Sequence, residues 1–211
     1  MRFNCKSRTA PFGLALTPNI SLVFINRFSA SYGGEKAIAI YACISYIICI
    51  VYLILQGVGD ESQPLMSRYY GEKETVKLKD IQKMAHTFAI ILATLSCVIM
   101  FLIRTSIGAL FGSSNEVNHE IAKTMPIFLV SIPFVAITRV ATASFYATEK
   151  SVFSYILTFI EPIFMLLFML ILPRFGGQVM IWWSTVIARI LTAMIALLLT
   201  SVQNKISLVF H

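Results

Sequence analysis

The chain has 211 residues, 57% hydrophobic and only 13% charged, with a mean hydropathy of +0.79. A soluble domain is about 45–50% apolar and about 25% charged, so there is too little polar surface here to coat a water-soluble globule. That excludes disorder, a disulfide scaffold and a soluble enzyme, and leaves a bilayer protein, which the spans below make an all-α membrane protein.

A bilayer core takes roughly 20 apolar residues to cross, and six stretches reach or approach that length. Residues 9–26 are uncharged but interrupted by Pro11, Pro18 and Asn19. With Arg2, Lys6 and Arg8 before them and Ser29-Ala30-Ser31 after, they also fit a signal peptide. Arg27 and Phe28, where a cleavage site should be small and neutral, favour a spanning helix. Residues 37–59 and 84–103 contain no Asp, Glu, Lys or Arg. Residues 124–148, 151–173 and 175–204 are long enough, and each carries one internal charge: Arg139, Glu161 and Arg189. The expected organisation is an N-terminal segment 1–12, a six-transmembrane-helix bundle over 13–204, and a tail 205–211. Residues 68–83, with alternating charges, read as a solvated or interfacial stretch. Cys5, Cys43, Cys49 and Cys97 have no C-x-x-C spacing and read as small core residues.

Loop charge orients the bundle. Arg2, Lys6, Arg8, Arg68, Lys73, Lys77, Lys79, Lys83, Lys150 and Lys205 fall on one side, against Lys36, Arg104, Lys123 and Arg174 on the other. Both termini are therefore expected in the cytoplasm of a multi-pass cell-membrane protein. The net charge of +7 belongs to these loops, and no zinc or aromatic-basic motif points to nucleic acid. Trp182 and Trp183 are expected near the outer interface, and Tyr69 and Tyr70 near the inner one.

An ionisable residue inside a span costs roughly 2.5–3.5 kcal/mol at the bilayer centre on insertion scales, so each needs an explanation. Counted along their helices, Arg139, Glu161 and Arg189 lie about 12, 15 and 17 Å from the cytoplasmic side. They can form an Arg–Glu–Arg cluster, read either as a substrate or proton site or as an ion pair bracing the bundle. Pro162 follows Glu161 and should kink its helix, freeing the Thr158 carbonyl. The second constellation is Gly57 to Gly71, with Asp60, Glu61, Gln63 and Pro64. If the second helix runs on to about Arg68, Asp60 lies about 12 Å inside its end and must line a polar vestibule or be neutral. If the span stops at Gly59, these residues form a solvated loop. The histidines His86, His119 and His211 are scattered, and no catalytic triad, metal motif or phosphate loop is present. An enzyme is the class least favoured.

Residues 13–200 resemble the C-terminal half of a multidrug and toxic compound extrusion (MATE) transporter. The match is carried by Gln63-Pro64-Leu65-Met66-Ser67 followed by Tyr69-Tyr70-Gly71. Upstream lie Asn26, Tyr32-Gly33-Gly34 and Ala37-Ile38-Ala39-Ile40-Tyr41. Downstream lie Leu110-Phe111-Gly112, Phe145-Tyr146-Ala147-Thr148, Ile171-Leu172-Pro173 and Trp182-Trp183. The resemblance implies one six-helix lobe of a twelve-helix antiporter that exports drugs or other cationic or amphipathic compounds against sodium ions or protons. It requires no cofactor besides that coupling ion. A second lobe, from another chain or a homodimer, would complete the path, and the chain would then be a half-length or truncated transporter. The acids that bind the coupling cation in this lobe of other members are absent from the first and fourth helices here. Asp60, Glu61 and Glu161, with Gln63, Arg139 and Arg189, are the candidate binding residues instead. A non-transporting remnant, a membrane assembly partner and a lipid-linked sugar flippase are the alternatives.

Overall fold

The computed structural model describes the backbone of residues 9–209 and the side chains of residues 21–203. Arg2, Cys5, Lys6, Arg8 and His211, and the side chains of the 205–211 tail, lie outside the described residues. Among the described residues seven helices follow one another: α1 Thr9–Gly71, α2 Thr75–Ile103, α3 Ile107–Leu110, α4 Asn115–Leu129, α5 Ile132–Ala147, α6 Ser151–Ile171 and α7 Pro173–Val209.

The longest of them, α1, is two helices joined at Gly34, whose φ of 62° and ψ of −159° leave the helical region. Only glycine enters that conformation without strain. The chain reverses there. Ser21 and Tyr52 line one cavity, although a straight helix would hold them about 46 Å apart. Gly33 allows the close return, because a Cβ at this position would meet Ala37 and lie 2.8 Å from Oε1 of Gln178 on α7. A second break, at Gly176 and Gly177, turns the chain from α6 into the long arm of α7.

Between α4 and α5 the chain bends by 44°. Pro133 lacks the N–H that would reach the Leu129 carbonyl, and the Cys97 thiol donates to that oxygen instead, at 3.5 Å. Ser131, at the bend, donates to the Phe128 carbonyl at 2.7 Å. By length and apolarity alone, the described residues hold four helices able to cross a bilayer, or five if the bent pair counts as one. The reversal at Gly34 divides the first of these into two arms.

In lipid, helices gain little from the hydrophobic effect and associate through close packing and interhelical hydrogen bonds. Both are present. Ala85, Ala89 and Ala93 form the buried stripe of α2, and Gly59 brings α1 against the Arg139 backbone of α5, with an added Cβ lying 3.2 Å from that carbonyl oxygen. Ser154 donates to the Thr142 carbonyl at 3.0 Å, and Gln203 Nε2 to Thr148 Oγ1 at 3.1 Å. The most buried helix, α5, is the centre around which α1, α2, α6 and α7 pack.

Several expectations need correction. The 68–83 stretch is not a loop: α1 runs to Gly71, the turn occupies Glu72–Glu74 with Lys73 at φ 58°, and α2 begins at Thr75. Trp182 does not stand free at the bundle surface but is 3% exposed, stacked on Tyr41 at 5.7 Å and tilted against Phe128 at 5.6 Å. Of the cysteines, Cys43 is buried, whereas Cys49 is exposed. Both α1 and α6 continue as helix through Pro64 and Pro162.

Candidate functional site

A cavity of about 180 Å³ lies inside the bundle, walled by both arms of α1 and by α4, α5, α6 and α7. Arg139, Glu161 and Arg189, expected to meet on depth alone, all line it. Arg189 Nε donates to Glu161 Oε1 at 3.3 Å, with the side chains 13% and 25% exposed. Its Nη1 also donates to Ser131 Oγ at 3.4 Å, and its guanidinium lies 4.9 Å from the centre of the Tyr52 ring. The Tyr52 hydroxyl in turn lies 3.3 Å from Ser131 Oγ. One cation is thus held by a carboxylate, a hydroxyl and an aromatic face, each offsetting part of its desolvation.

Arg139 differs. It lines the same cavity half-buried, yet among the described residues no carboxylate reaches it within ion-pair distance. The nearby hydroxyls are occupied locally: Thr142 donates to the Thr138 carbonyl at 2.8 Å and Thr158 to the Ser154 carbonyl at 2.9 Å.

Asp60, Glu61 and Gln63 are not in this cavity. Asp60 and Glu61 are exposed and Gln63 is half-buried, all on the helical continuation of α1. Asp60 accepts from Gln56 Nε2 at 2.8 Å, one turn back. Its depth follows from its neighbour, because Gly59 touches the Arg139 backbone, and Arg139 lies about 12 Å before the end of α5. Asp60 is therefore level with Arg139, not with the Glu72–Glu74 turn.

The spacing around Asp60 carries a pattern the sequence reading missed. Ser45, Cys49, Tyr52, Gln56, Asp60, Gln63 and Ser67 recur at intervals of three and four, which puts them on one face of α1. The first three line the cavity, and the stripe runs from there toward the α1–α2 turn. Ser131 and Tyr52 were also missed, since neither carries charge. The signal available for Ser131 was a serine beside Pro133 inside an otherwise apolar run.

The family described as MatE matches residues 14–171. No curated protein matches the chain in sequence. Among solved structures, an outward-facing multidrug resistance MATE family transporter of the MOP superfamily is 18% identical with a TM-score of 0.85, covering 92% of this chain and 44% of its own. A MATE in complex with MaD3S is 16% identical with a TM-score of 0.83, covering 98% of this chain and 48% of its own. A MOP superfamily transporter from Pyrococcus furiosus, described as having a binding pocket of reverse polarity, is 18% identical with a TM-score of 0.85, covering 92% of this chain and 44% of its own. At such identities the likeness is one of fold. The chain spans a little under half the length of the structures it matches.

Proposed function

The chain belongs to the MatE family, and on that premise we propose that it forms one lobe of a secondary active exporter of cationic or amphipathic compounds, its transport path running along the polar stripe of α1. The observation that carries this reading is Asp60: an exposed carboxylate level with Arg139, on a face shared with Gln56, Gln63 and Ser67. Lipid tails solvate neither an aspartate nor a row of amides, and intramembrane acids face bundle interiors or watery crevices. The stripe is therefore the face turned toward water and a second lobe, supplied by another chain or a second copy.

An exposed carboxylate in such a crevice accepts a proton, a sodium ion or a cationic cargo, one at a time. That mutual exclusion is what an antiporter needs, because cargo leaves only when the coupling ion replaces it. The charge bias of the turns favours both termini in the cytoplasm, with the Asp60 end of the stripe opening there. The Arg189–Glu161 pair, by contrast, is tied to Ser131 and Tyr52 at the α4–α5 bend, where it fixes the cavity wall.

The test is transport by the full chain in proteoliposomes, with ethidium as the fluorescent lipophilic cation and an imposed pH or sodium gradient. Gradient-driven ethidium movement is expected, with D60N reducing it about tenfold or more while detergent-solubilised protein keeps its melting temperature. Transport unchanged in D60N removes Asp60 from the path. No movement under either gradient, with the chain cross-linked as a dimer through a cysteine introduced at Ser67, rejects a second copy as the missing lobe.

A further inference from the structure

Beyond the transport path, the inner cavity has a charge balance of its own. Two guanidiniums and one carboxylate line it, and the carboxylate is engaged by Arg189. Arg139 is left with a fork of five N–H donors and, among the described residues, no hydrogen bond or ion pair to them. A cavity holding net charge +1 in low dielectric is completed by one negative charge, and a guanidinium binds carboxylate or phosphate oxygens through paired N–H donors. The hydroxyls of Thr142 and Thr158 do not compete for that role, since each gives its proton to a helix carbonyl. Around the charged groups the walls are apolar, including Leu22, Ile48, Leu157 and Met165.

We propose that this cavity is a binding site for an anionic amphiphile, its carboxylate or phosphate on Arg139 and its apolar chain against Leu157 and Met165. The site is separate from Asp60, so a cationic cargo on the α1 stripe and an anion in the bundle do not compete for one group. The anion has access through Ser45, Cys49 and Tyr52, which belong to both the cavity lining and the stripe. Two sources carry the same chemistry: an anionic lipid headgroup from the bilayer, or a soluble organic anion.

Calorimetric titration of the full chain in phosphatidylcholine nanodiscs, with empty nanodiscs subtracted, tests the proposal using octanoate, octanol and octylammonium. Octanoate is expected to bind about tenfold tighter than either matched probe. R139Q should lose that preference, and R139K should keep part of it. E161Q removes the competing negative charge and should tighten octanoate binding, a change opposite in sign to any general loss of structure. Phosphatidylglycerol nanodiscs separate the sources: weaker octanoate binding there assigns the site to a lipid headgroup, and unchanged binding assigns it to a soluble anion. Octylammonium binding as tightly as octanoate, or octanoate affinity unchanged in both R139Q and E161Q, overturns the proposal. Since binding is read without transport, its failure is distinguishable from failure of the Asp60 path.

Discussion

The exposed faces of α1 and α2 differ in chemistry at similar depth. On α2, Met84, Phe88, Ile91, Leu95, Val98 and Leu102 are all exposed and recur at helical spacing, and no charged residue interrupts 84–103. On α1 one exposed strip, with Tyr46, Ile50 and Leu53, is equally apolar, while the strip beside it carries Gln56, Asp60, Gln63 and Ser67. Exposure in a membrane protein therefore has two meanings. The side chains standing at a given depth decide between them: over residues 84–103 the free surface of α2 carries no charge, and α1, on the proposed reading, divides its free surface between lipid and a polar crevice.

The sharpest test of that division places the same charge on each helix. I91D puts a carboxylate among lipid tails and should cost about 2.5–3.5 kcal/mol on insertion scales, read as lost membrane insertion and folded yield. Q56E adds a carboxylate one turn from Asp60 on the polar strip and should cost well under that, about the few tenths expected of an i,i+4 like-charge pair. Equal loss in the two variants would make the stripe an accident of composition.

Glycine substitutions sharpen the same boundary with a smaller effect. A Cβ at Gly57 meets nothing within 4 Å, whereas at Gly59 it meets the Arg139 carbonyl oxygen at 3.2 Å and Ala143 Cβ at 3.3 Å. G57A should raise thermal stability by up to about 1 kcal/mol through helix propensity alone. G59L forces α1 from α5 and should lower it by about 1–3 kcal/mol. Melting in detergent gives both signs. Smaller again, Y52F removes the hydroxyl beside Ser131 but keeps the ring under Arg189, and about 1 kcal/mol should be lost.

The spans were legible because apolar length is a strong signal, and Arg139, Glu161 and Arg189 were placed together because helical rise converts sequence position into depth. What the sequence left open was the fate of α1 after Gly59. Gly57, Gly59 and Pro64 are helix-weakening residues, and hydropathy falls there, so helix and loop looked alike; packing of Gly59 on α5 decides for helix. The same polarity hid the stripe, because seven residues of mixed type at intervals of three and four have no compositional signature. The burial of Trp182 was hidden for a related reason: an aromatic-belt argument says nothing of packing, and Trp182 forms a three-ring cluster with Tyr41 and Phe128. The identity of Arg189's partners required geometry, since Ser131 and Tyr52 come from different helices.

The smallest effect concerns the start of the second arm of α1, where the helix leaves Gly34 and is tied to α4. Lys36 Nζ donates to Glu116 Oε1 at 2.6 Å, and Glu116 sits in the first turn of α4 behind the Ser114 cap, where the helix dipole also favours a negative charge. The hydrogen bond from Lys36 holds the Glu116 carboxyl below its ordinary value of 4.5, and the same bond raises Lys36 above its ordinary 10.5. A depressed carboxyl contributes stability above the unfolded value and loses it as pH falls through the folded one; a raised amine contributes below its unfolded value and loses it as pH rises through the folded one. Between 4.5 and 10.5 the pair is therefore fully formed. Both side chains are open to water, so the contribution is small and screened by salt. E116Q should melt slightly below the parent chain at neutral pH and low salt. That gap should close as pH drops below the carboxylate range, and close equally at high ionic strength. A gap that persists under both conditions would mean that Glu116 acts through α4 capping and not through Lys36.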